Sequence, residues 1–459
     1  MRKKWVKKVF WVYLVSWILG FFLIILQLQL QGQKFSESLS FYFSEIIFNR
    51  AYLAAQHILF AIIGLLYVLF HYFRTVFQKW GRAILFKRLG LYLLLPILLL
   101  VLGFKTVVHM NTNETMIFQW DETVMNSSVT VAKHFERDSL HRGMSVFGWK
   151  DNNTTAIDEL VRANVEWVAV TPFIYQEDET TPELRSEREI GKFSRRDSTF
   201  ILAIRELRAK GLYVHLKPHL WLGNGWRSNL DHPNKKAWNT WFSGYRTRML
   251  HYAKMAQLTG TELFCVGTEL RTSIKNQPEA WKALIADIRN IYSGKLTYAA
   301  NWYDEYEHVT FWNDLDYIGI QAYFPLTKTK NPDLEAIKKG WQPHIESLSR
   351  FSKTHHKPIL FTEVGYRSEA SATIKPWEWS GAFEVLFKKK SDQTQLLAYE
   401  ALFEEVWHQN WFAGVYIWQW DTRSSPSNAA TNLDFSPRFK PAENVVAKWF
   451  GQEVQRPIP

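Results

Sequence analysis

A single cysteine, Cys265, stands in 459 residues, so no disulfide can close within the chain and a stapled secreted scaffold is excluded. Acidic residues are nearly missing from the first quarter: residues 1–110 hold only Glu37 and Glu45 against 13 lysines and arginines. The remainder carries 42 basic and 42 acidic residues, so the whole net charge of +11 sits at the beginning. A charge-neutral remainder gives no footprint for nucleic acid, and none is inferred as a partner. Also absent are a His-Glu-x-x-His helix, a Gly-x-Ser-x-Gly elbow and a Gly-x-x-x-x-Gly-Lys phosphate loop. No cofactor and no metal is inferred; the pair His355-His356 reads as a surface turn.

What the first quarter does contain is three long apolar runs, at about 9–26, 51–73 and 89–104. A bilayer core about 30 Å thick needs around 20 helical residues, so residues 1–105 read as a membrane anchor of three transmembrane helices in the lipid bilayer. Five basic residues precede the first run and five more lie between the second and third, against two between the first and second. That bias predicts a multi-pass cell-membrane protein with a cytoplasmic N-terminus and everything after residue 104 on the extracytoplasmic side. A signal peptide is the weaker reading, since no small-x-small cleavage pattern follows. Gln56 and His57, inside the second run, read as a helix contact rather than a transport path.

After a polar stretch at 106–140, expected to be a linker, the pattern changes. Short apolar runs at 143–149, 165–173, 213–221, 263–269, 296–302, 317–324, 359–366 and 414–420 alternate with helical patterns at 156–163, 199–209, 238–258, 280–291, 334–351, 394–407 and 442–450. Near-continuous apolar strands are those of a parallel sheet buried on both faces. Eight repeats over 141–456 predict an α/β domain of the (β/α)8 barrel class, a TIM barrel, rather than an open doubly wound sheet, whose Gly-x-Gly-x-x-Gly turn is missing after the first strand.

Active sites of such barrels lie at the C-terminal strand ends. Those ends read Trp149, Phe173 with Tyr175, His219 with Trp221, Glu269, Asn301 with Trp302, Tyr323, Glu363, and Trp420 with Asp421. Two glutamates end the fourth and seventh strands, on opposite sides of an eight-membered ring. Cleaving a glycosidic bond needs such a pair, one acid to protonate the leaving oxygen and one carboxylate to attack the anomeric carbon. The plainer reading of each is a salt bridge at the barrel mouth, with Lys217, Arg271 or Arg367. Trp149, Trp221, Trp226, Trp302 and Trp420 are the aromatics placed for sugar rings to stack on, and His219, Asn224, Asn301 and Tyr323 are the polar candidates for substrate binding. The loops 176–196 and 221–238 would shape the subsites.

The runs Cys265-Val266-Gly267-Thr268-Glu269-Leu270, Leu216-Lys217-Pro218-His219, Gln321-Ala322-Tyr323-Phe324-Pro325-Leu326, Phe361-Thr362-Glu363-Val364-Gly365-Tyr366 and Phe435-Ser436-Pro437-Arg438-Phe439-Lys440-Pro441-Ala442 resemble glycoside hydrolase family 113. The resemblance covers residues 141–450 and implies a retaining barrel glycosidase of β-1,4-mannanase type acting on an oligo- or polysaccharide. It implies Glu269 as acid/base, Glu363 as nucleophile, Tyr323 as the tyrosine that hydrogen-bonds the nucleophile, and Trp420 as the aromatic floor under the sugar. Thr268 departs from the clan pattern, where an asparagine precedes the acid/base; Asn301 and Asn224 are the candidates to replace its bond to the sugar 2-hydroxyl. A non-catalytic carbohydrate-binding barrel, and the same barrel acting on another β-glycan or by transglycosylation, stay open as alternatives.

Overall fold

The computed structural model describes residues 2–30, 35–47, 50–113, 116, 118–128, 130–150, 152–184, 197–379, 381 and 384–455. Within these the chain divides into two compact units, Met1–Thr106 and Val107–Pro459.

Ten strands follow in chain order: β1 His141–Phe147, β2 Trp167–Val170, β3 Phe173–Gln176, β4 Tyr213–Leu216, β5 His219–Leu222, β6 Leu263–Thr268, β7 Lys295–Asn301, β8 Tyr317–Gln321, β9 Ile359–Val364 and β10 Phe412–Asp421. Eight of them close into a parallel barrel in the order β1-β10-β9-β8-β7-β6-β4-β2. The remaining two, β3 and β5, pair with each other as a small sheet continuing from β2 and β4. The expected second and third strands are thus each split in two, at Pro172 and Pro218, where a missing N–H interrupts the ladder.

Side chains alternate along the strands. Val168, Phe264, Phe361 and Val415 belong to the main core with the helices, while their neighbours Trp167, Leu263, Leu360 and Tyr416 form a second cluster inside the barrel. All seven expected helices form, the longest at Lys235–Thr259, Leu334–His355 and Asp392–Val406. Asn234, Asp333 and Ser391 cap them by accepting from the N–H three residues on. Gly414 starts the inward course of β10 at φ 115°, where a Cβ would lie 2.3 Å from the His141 carbonyl oxygen, so no larger residue fits there.

The stretch expected as a linker is largely built into the barrel unit. Trp120, Val124 and Val131 pack on the core, and Phe135 closes the inner cluster. The Glu166 carboxylate accepts from the backbone N–H groups of His134 and Phe135. Asp138 pairs with fully buried Arg142 at 2.6 Å. A polar composition misled here because a few apolar side chains and Asp138 hold the stretch to the barrel while most of its charges stay exposed.

The first unit is helical. The run at 9–26 lies in a helix Arg2–Leu30. The runs at 51–73 and 89–104 lie on two helical segments that meet at Gly81, whose φ of 77° and ψ of −176° are not helical: residues 50–80, and residues 82–112, which include a π-helical segment Gly90–Leu94. Two helical stretches, Lys7–Gln29 and Tyr52–Thr112, are long and apolar enough to cross a membrane. The break at Gly81 falls among the basic residues between the second and third runs, with Arg74 and Lys79 before it and Arg82, Lys87 and Arg88 after it. Gln56 is buried and donates through Nε2 to the Ser16 carbonyl at 2.7 Å, while Gly20 leaves room for its amide. It therefore joins the first helix to the second.

Candidate active site

The strand ends of the barrel open into a cavity of about 980 Å³. Its lining holds Glu269 and Glu363 with Phe147, Phe173, His219, Trp221, Trp226, Arg227, Ser228, Arg271, Asn301, Trp302, Tyr303, Tyr323, Trp377, Trp379, Trp418, Gln419 and Phe435. Two carboxyls in a mostly aromatic wall match what a sugar-binding cleft requires: flat apolar faces for the ring carbons and a few polar groups that converge.

Glu363 lies inside β9, opposite Gln321 of β8, and is 4% exposed. Its Oε1 accepts from Lys217 Nζ at 2.6 Å and lies 3.3 Å from His219 Nε2; its Oε2 accepts from the Tyr323 hydroxyl at 2.9 Å. Lys217 also donates to the Thr362 carbonyl at 2.9 Å and lies wholly inside the barrel. Burial pushes the Glu363 carboxyl up, but Lys217 and His219 outweigh it and hold it far below the usual carboxylate range. His219 itself is brought down to about 4 by burial, so its ring is neutral at neutral pH. It stacks on Trp418, with centroids 5.9 Å apart and planes 2° from parallel.

Glu269 follows the last residue of β6 and adopts φ 54°, the left-handed region that non-glycine residues seldom occupy. Its N–H donates to the Ala299 carbonyl at 2.9 Å and its own carbonyl accepts from Ser228 Oγ at 2.9 Å. Burial holds its carboxyl above the usual value, against the pull of the Arg227 guanidinium that contacts Oε2 and with the help of nearby Glu363. The two carboxyls are therefore pushed apart in proton affinity, the condition for one acid and one base in a single site.

Behind Glu269 stands a second buried carboxyl, which the sequence reading did not single out. Glu305 Oε1 accepts from the Tyr298 hydroxyl at 2.6 Å, and that hydroxyl accepts from the Leu270 N–H at 2.8 Å. Oε2 accepts from the Asn301 N–H and Nδ2 at 2.9 and 3.0 Å, and the same Nδ2 reaches Ser228 Oγ at 2.8 Å. Glu305 thus anchors both chains of hydrogen bonds that bracket the strained backbone at 269–270. Glu305→Ala is expected to lower kcat by about 10²-fold with a smaller change in KM, since displacing a reacting group by about 1 Å costs on that order; steady-state kinetics on folded protein checks it.

Of the residues expected at the site, Glu269, Glu363, His219, Trp221, Asn301, Trp302 and Tyr323 line the cavity, as does Trp226. Three do not. Trp149 is half-buried against the core, and Asn224 is exposed, its N–H donating to the Glu177 carbonyl at 2.9 Å. Trp420 is fully buried beneath the Arg438 guanidinium, and Trp418 takes the place in the cavity. The cause is a bulge in β10: Met144 pairs with Ile417 but Val146 pairs with Trp420, so three steps on one strand match two on the other and the facing of the later residue is reversed. Of the two asparagines considered for the sugar 2-hydroxyl, only Asn301 reaches the cavity. Of the subsite loop 176–196, residues 185–196 lie outside the described residues.

Sequence reasoning missed Arg227, Ser228, Trp377, Trp379, Trp418 and Phe435. Trp377-Glu378-Trp379 could have been found, because two tryptophans flanking a charge soon after the Glu363 strand lie in a barrel-mouth loop. A network of ion pairs holds that loop: buried Arg367 pairs with Glu369 at 3.0 Å and with Glu384, and the partly exposed Lys388 pairs with Glu378 at 2.8 Å. Among the described residues no group of three or more His, Cys, Asp or Glu side chains could hold a metal ion.

A closed parallel barrel with an aromatic cavity holding two strand-end glutamates is the architecture of barrel glycosidases. The family model for Glycoside Hydrolase Family 113 matches residues 145–440, more than half of the chain, and the chain belongs to that family. It is accordingly a glycoside hydrolase by family, with a saccharide as the class of substrate. Among solved structures it is similar to the GH113 β-mannanase AaManA from Alicyclobacillus acidocaldarius in complex with ManMIm, at 27% identity and a TM-score of 0.59, covering 68% of this chain and 97% of that one. A GH113 β-1,4-mannanase structure matches at 26% identity with the same TM-score, covering 67% and 97%. Comparison with curated proteins gave no match.

Proposed function

We propose that this protein is a membrane-anchored retaining glycosidase that cleaves β-linked mannan or manno-oligosaccharides, with Glu363 as nucleophile and Glu269 as acid/base. The observation that carries this reading is the opposite treatment of two carboxyls in one cavity: Lys217, His219 and Tyr323 hold Glu363 ionised, while burial favours a proton on Glu269. Glu269 gives its proton to the glycosidic oxygen as Glu363 attacks the anomeric carbon, so the C–O bond breaks and a glycosyl ester forms. Glu269, now a carboxylate, takes a proton from water, which attacks the same carbon and releases Glu363. Configuration is retained. The Tyr323 hydroxyl, donating to Oε2, keeps the attacking group in one orientation.

The substrate class comes from the mannanase relatives, supported by the tryptophan-rich wall. Anchoring is supported by the two apolar helical stretches. The second, 61 residues long, is interrupted at Gly81, and Arg74, Lys79, Arg82, Lys87 and Arg88 cluster around that break in its middle, leaving an apolar part on either side. Those charges belong at a membrane surface, so its two apolar parts count as separate spans, three in total, with a cytoplasmic N-terminus and the barrel outside. The full chain in detergent, assayed on β-mannan, β-glucan and β-xylan oligosaccharides with NMR detection of the first anomer formed, tests the reading. Release of β-configured ends from a manno-oligosaccharide is expected. Binding without turnover on every glycan would leave a carbohydrate-binding barrel, and α-configured ends would exclude the double displacement.

A further inference from the structure

The loop that carries Trp377 and Trp379 also carries a surface of another kind. At its far side Glu384–Leu386 forms a 3-10 turn, followed by Phe387, whose side chain is 83% exposed, and by exposed Lys389. This turn is bonded to the helical residues that begin the barrel unit: Asn111 Nδ2 donates to the Val385 carbonyl at 2.8 Å and the Lys390 N–H donates to the Asn111 carbonyl at 2.8 Å. Val107 and Met110, on the same last turns of Leu95–Thr112, are exposed too. A lone exposed phenylalanine needs no explanation. Here three exposed apolar side chains and a lysine belong to segments tied together by Asn111, and Asn111 follows Phe104, where the third apolar run ends, by seven helical residues, or about 10 Å.

We propose that residues 107–110 and 384–389 form a membrane-contact surface of the barrel unit that rests in the headgroup region of the bilayer, an inference that depends on the anchoring reading above. The chemistry fits that occupant: an aromatic side chain at the level where aromatic rings settle, with a lysine beside it able to reach lipid phosphate. Chain connectivity fits as well, because a helix leaving the bilayer near residue 104 delivers Asn111 within about one headgroup layer. The surface is also coupled to the cavity. Lys388, next to Phe387, pairs with Glu378 at 2.8 Å, and Glu378 stands between the two tryptophans of the cavity wall. Seating Phe387 in the interface therefore places that wall beside lipid.

The single, fully buried Cys265 makes the test direct, since a nitroxide reagent will react with an introduced cysteine and not with it. Full-length Phe387→Cys, Lys389→Cys and, as a distant control, Leu258→Cys, whose native side chain is 84% exposed on the helix Lys235–Thr259, are labelled and reconstituted into phosphatidylcholine vesicles. Collision rates with oxygen, which partitions into lipid, and with a water-soluble nickel chelate are then compared. At 387 the ratio of oxygen to nickel collisions is expected to exceed that at 258 by at least about threefold, with 389 between them. Equal ratios at 387, 389 and 258 in protein that floats with the vesicles would overturn this inference and leave the anchoring intact. Protein that fails to float with vesicles would overturn the anchoring reading and this inference with it.

Discussion

Glu363→Gln is expected to lower kcat on the order of 10⁴-fold or more on every substrate the enzyme cleaves, as loss of a covalent nucleophile does. Glutamine keeps the shape: its carbonyl oxygen can accept from Lys217 while its amide N–H donates to a reoriented Tyr323 hydroxyl, so the loss would report chemistry rather than collapse. Glu363→Ala is a harsher change. It strands the Lys217 ammonium inside the barrel with the Thr362 carbonyl and Gln321 Oε1 as its remaining acceptors, and removing one partner of a buried pair costs about 3–5 kcal/mol. The alanine variant should therefore be both inactive and less stable, and thermal unfolding of the two variants side by side separates the effects. Azide offers a further check: in Glu363→Ala it can enter from the vacated face and give an α-configured glycosyl azide, a product that no variant with its nucleophile intact would form. Glutamine and wild-type rates within tenfold of each other would place the nucleophile elsewhere.

Much of this site is legible in the sequence because it sits where regular structure ends. Glu269 and Glu363 each close a continuous apolar run, and a carboxyl at such a position is too costly to bury without a purpose or a partner. What could not be read is how each is partnered. Lys217 was a candidate ion-pair partner and does pair with Glu363, so the salt bridge and the functional reading are not rivals: the pair is what keeps the carboxylate ionised. Arg227 was invisible because it comes from an irregular loop whose course depends on the Ser228 and Asn301 hydrogen bonds. Trp420 reads as the aromatic floor because it ends the eighth apolar run, and only the pairing register of β10 with β1 reveals the extra residue that leaves Trp418 in the cavity instead. The barrel itself follows from eight apolar runs, but its packed floor does not, since residues 118–140 have the composition of a linker and become structural only through partners such as Glu166 and Arg142.

The pH profile of kcat/KM should be bell-shaped, with its two limbs governed by different residues and movable in known directions. The acid limb belongs to Glu363, which must be ionised to attack. Because Lys217 and His219 hold its carboxyl far below the ordinary range, activity should persist to low pH until other groups fail. Lys217→Met removes the stronger of these and leaves burial to act, so the acid limb should move upward by about 1–3 pH units, the usual effect of an opposite charge in contact. The alkaline limb belongs to Glu269, which must be protonated for the first step. The groups that face it are Arg227, Glu363 and Lys217, with Glu305 behind. Burial and the Glu363 carboxylate favour protonation, while Arg227 and, more weakly, Lys217 oppose it. Arg227→Met should therefore raise the alkaline limb, by about one unit or more, while leaving the acid limb in place. The two substitutions thus pull in one direction on different limbs: the first narrows the bell from its acid side and the second widens it on the alkaline side. An alkaline limb that moves in kcat/KM but stays fixed in kcat, which reports the sugar-bound enzyme, in Arg227→Met of unchanged thermal stability would mean that the guanidinium leaves Glu269 once a sugar is bound. Its contact with Oε2 would then be a resting-state clasp rather than part of the proton inventory of the reaction.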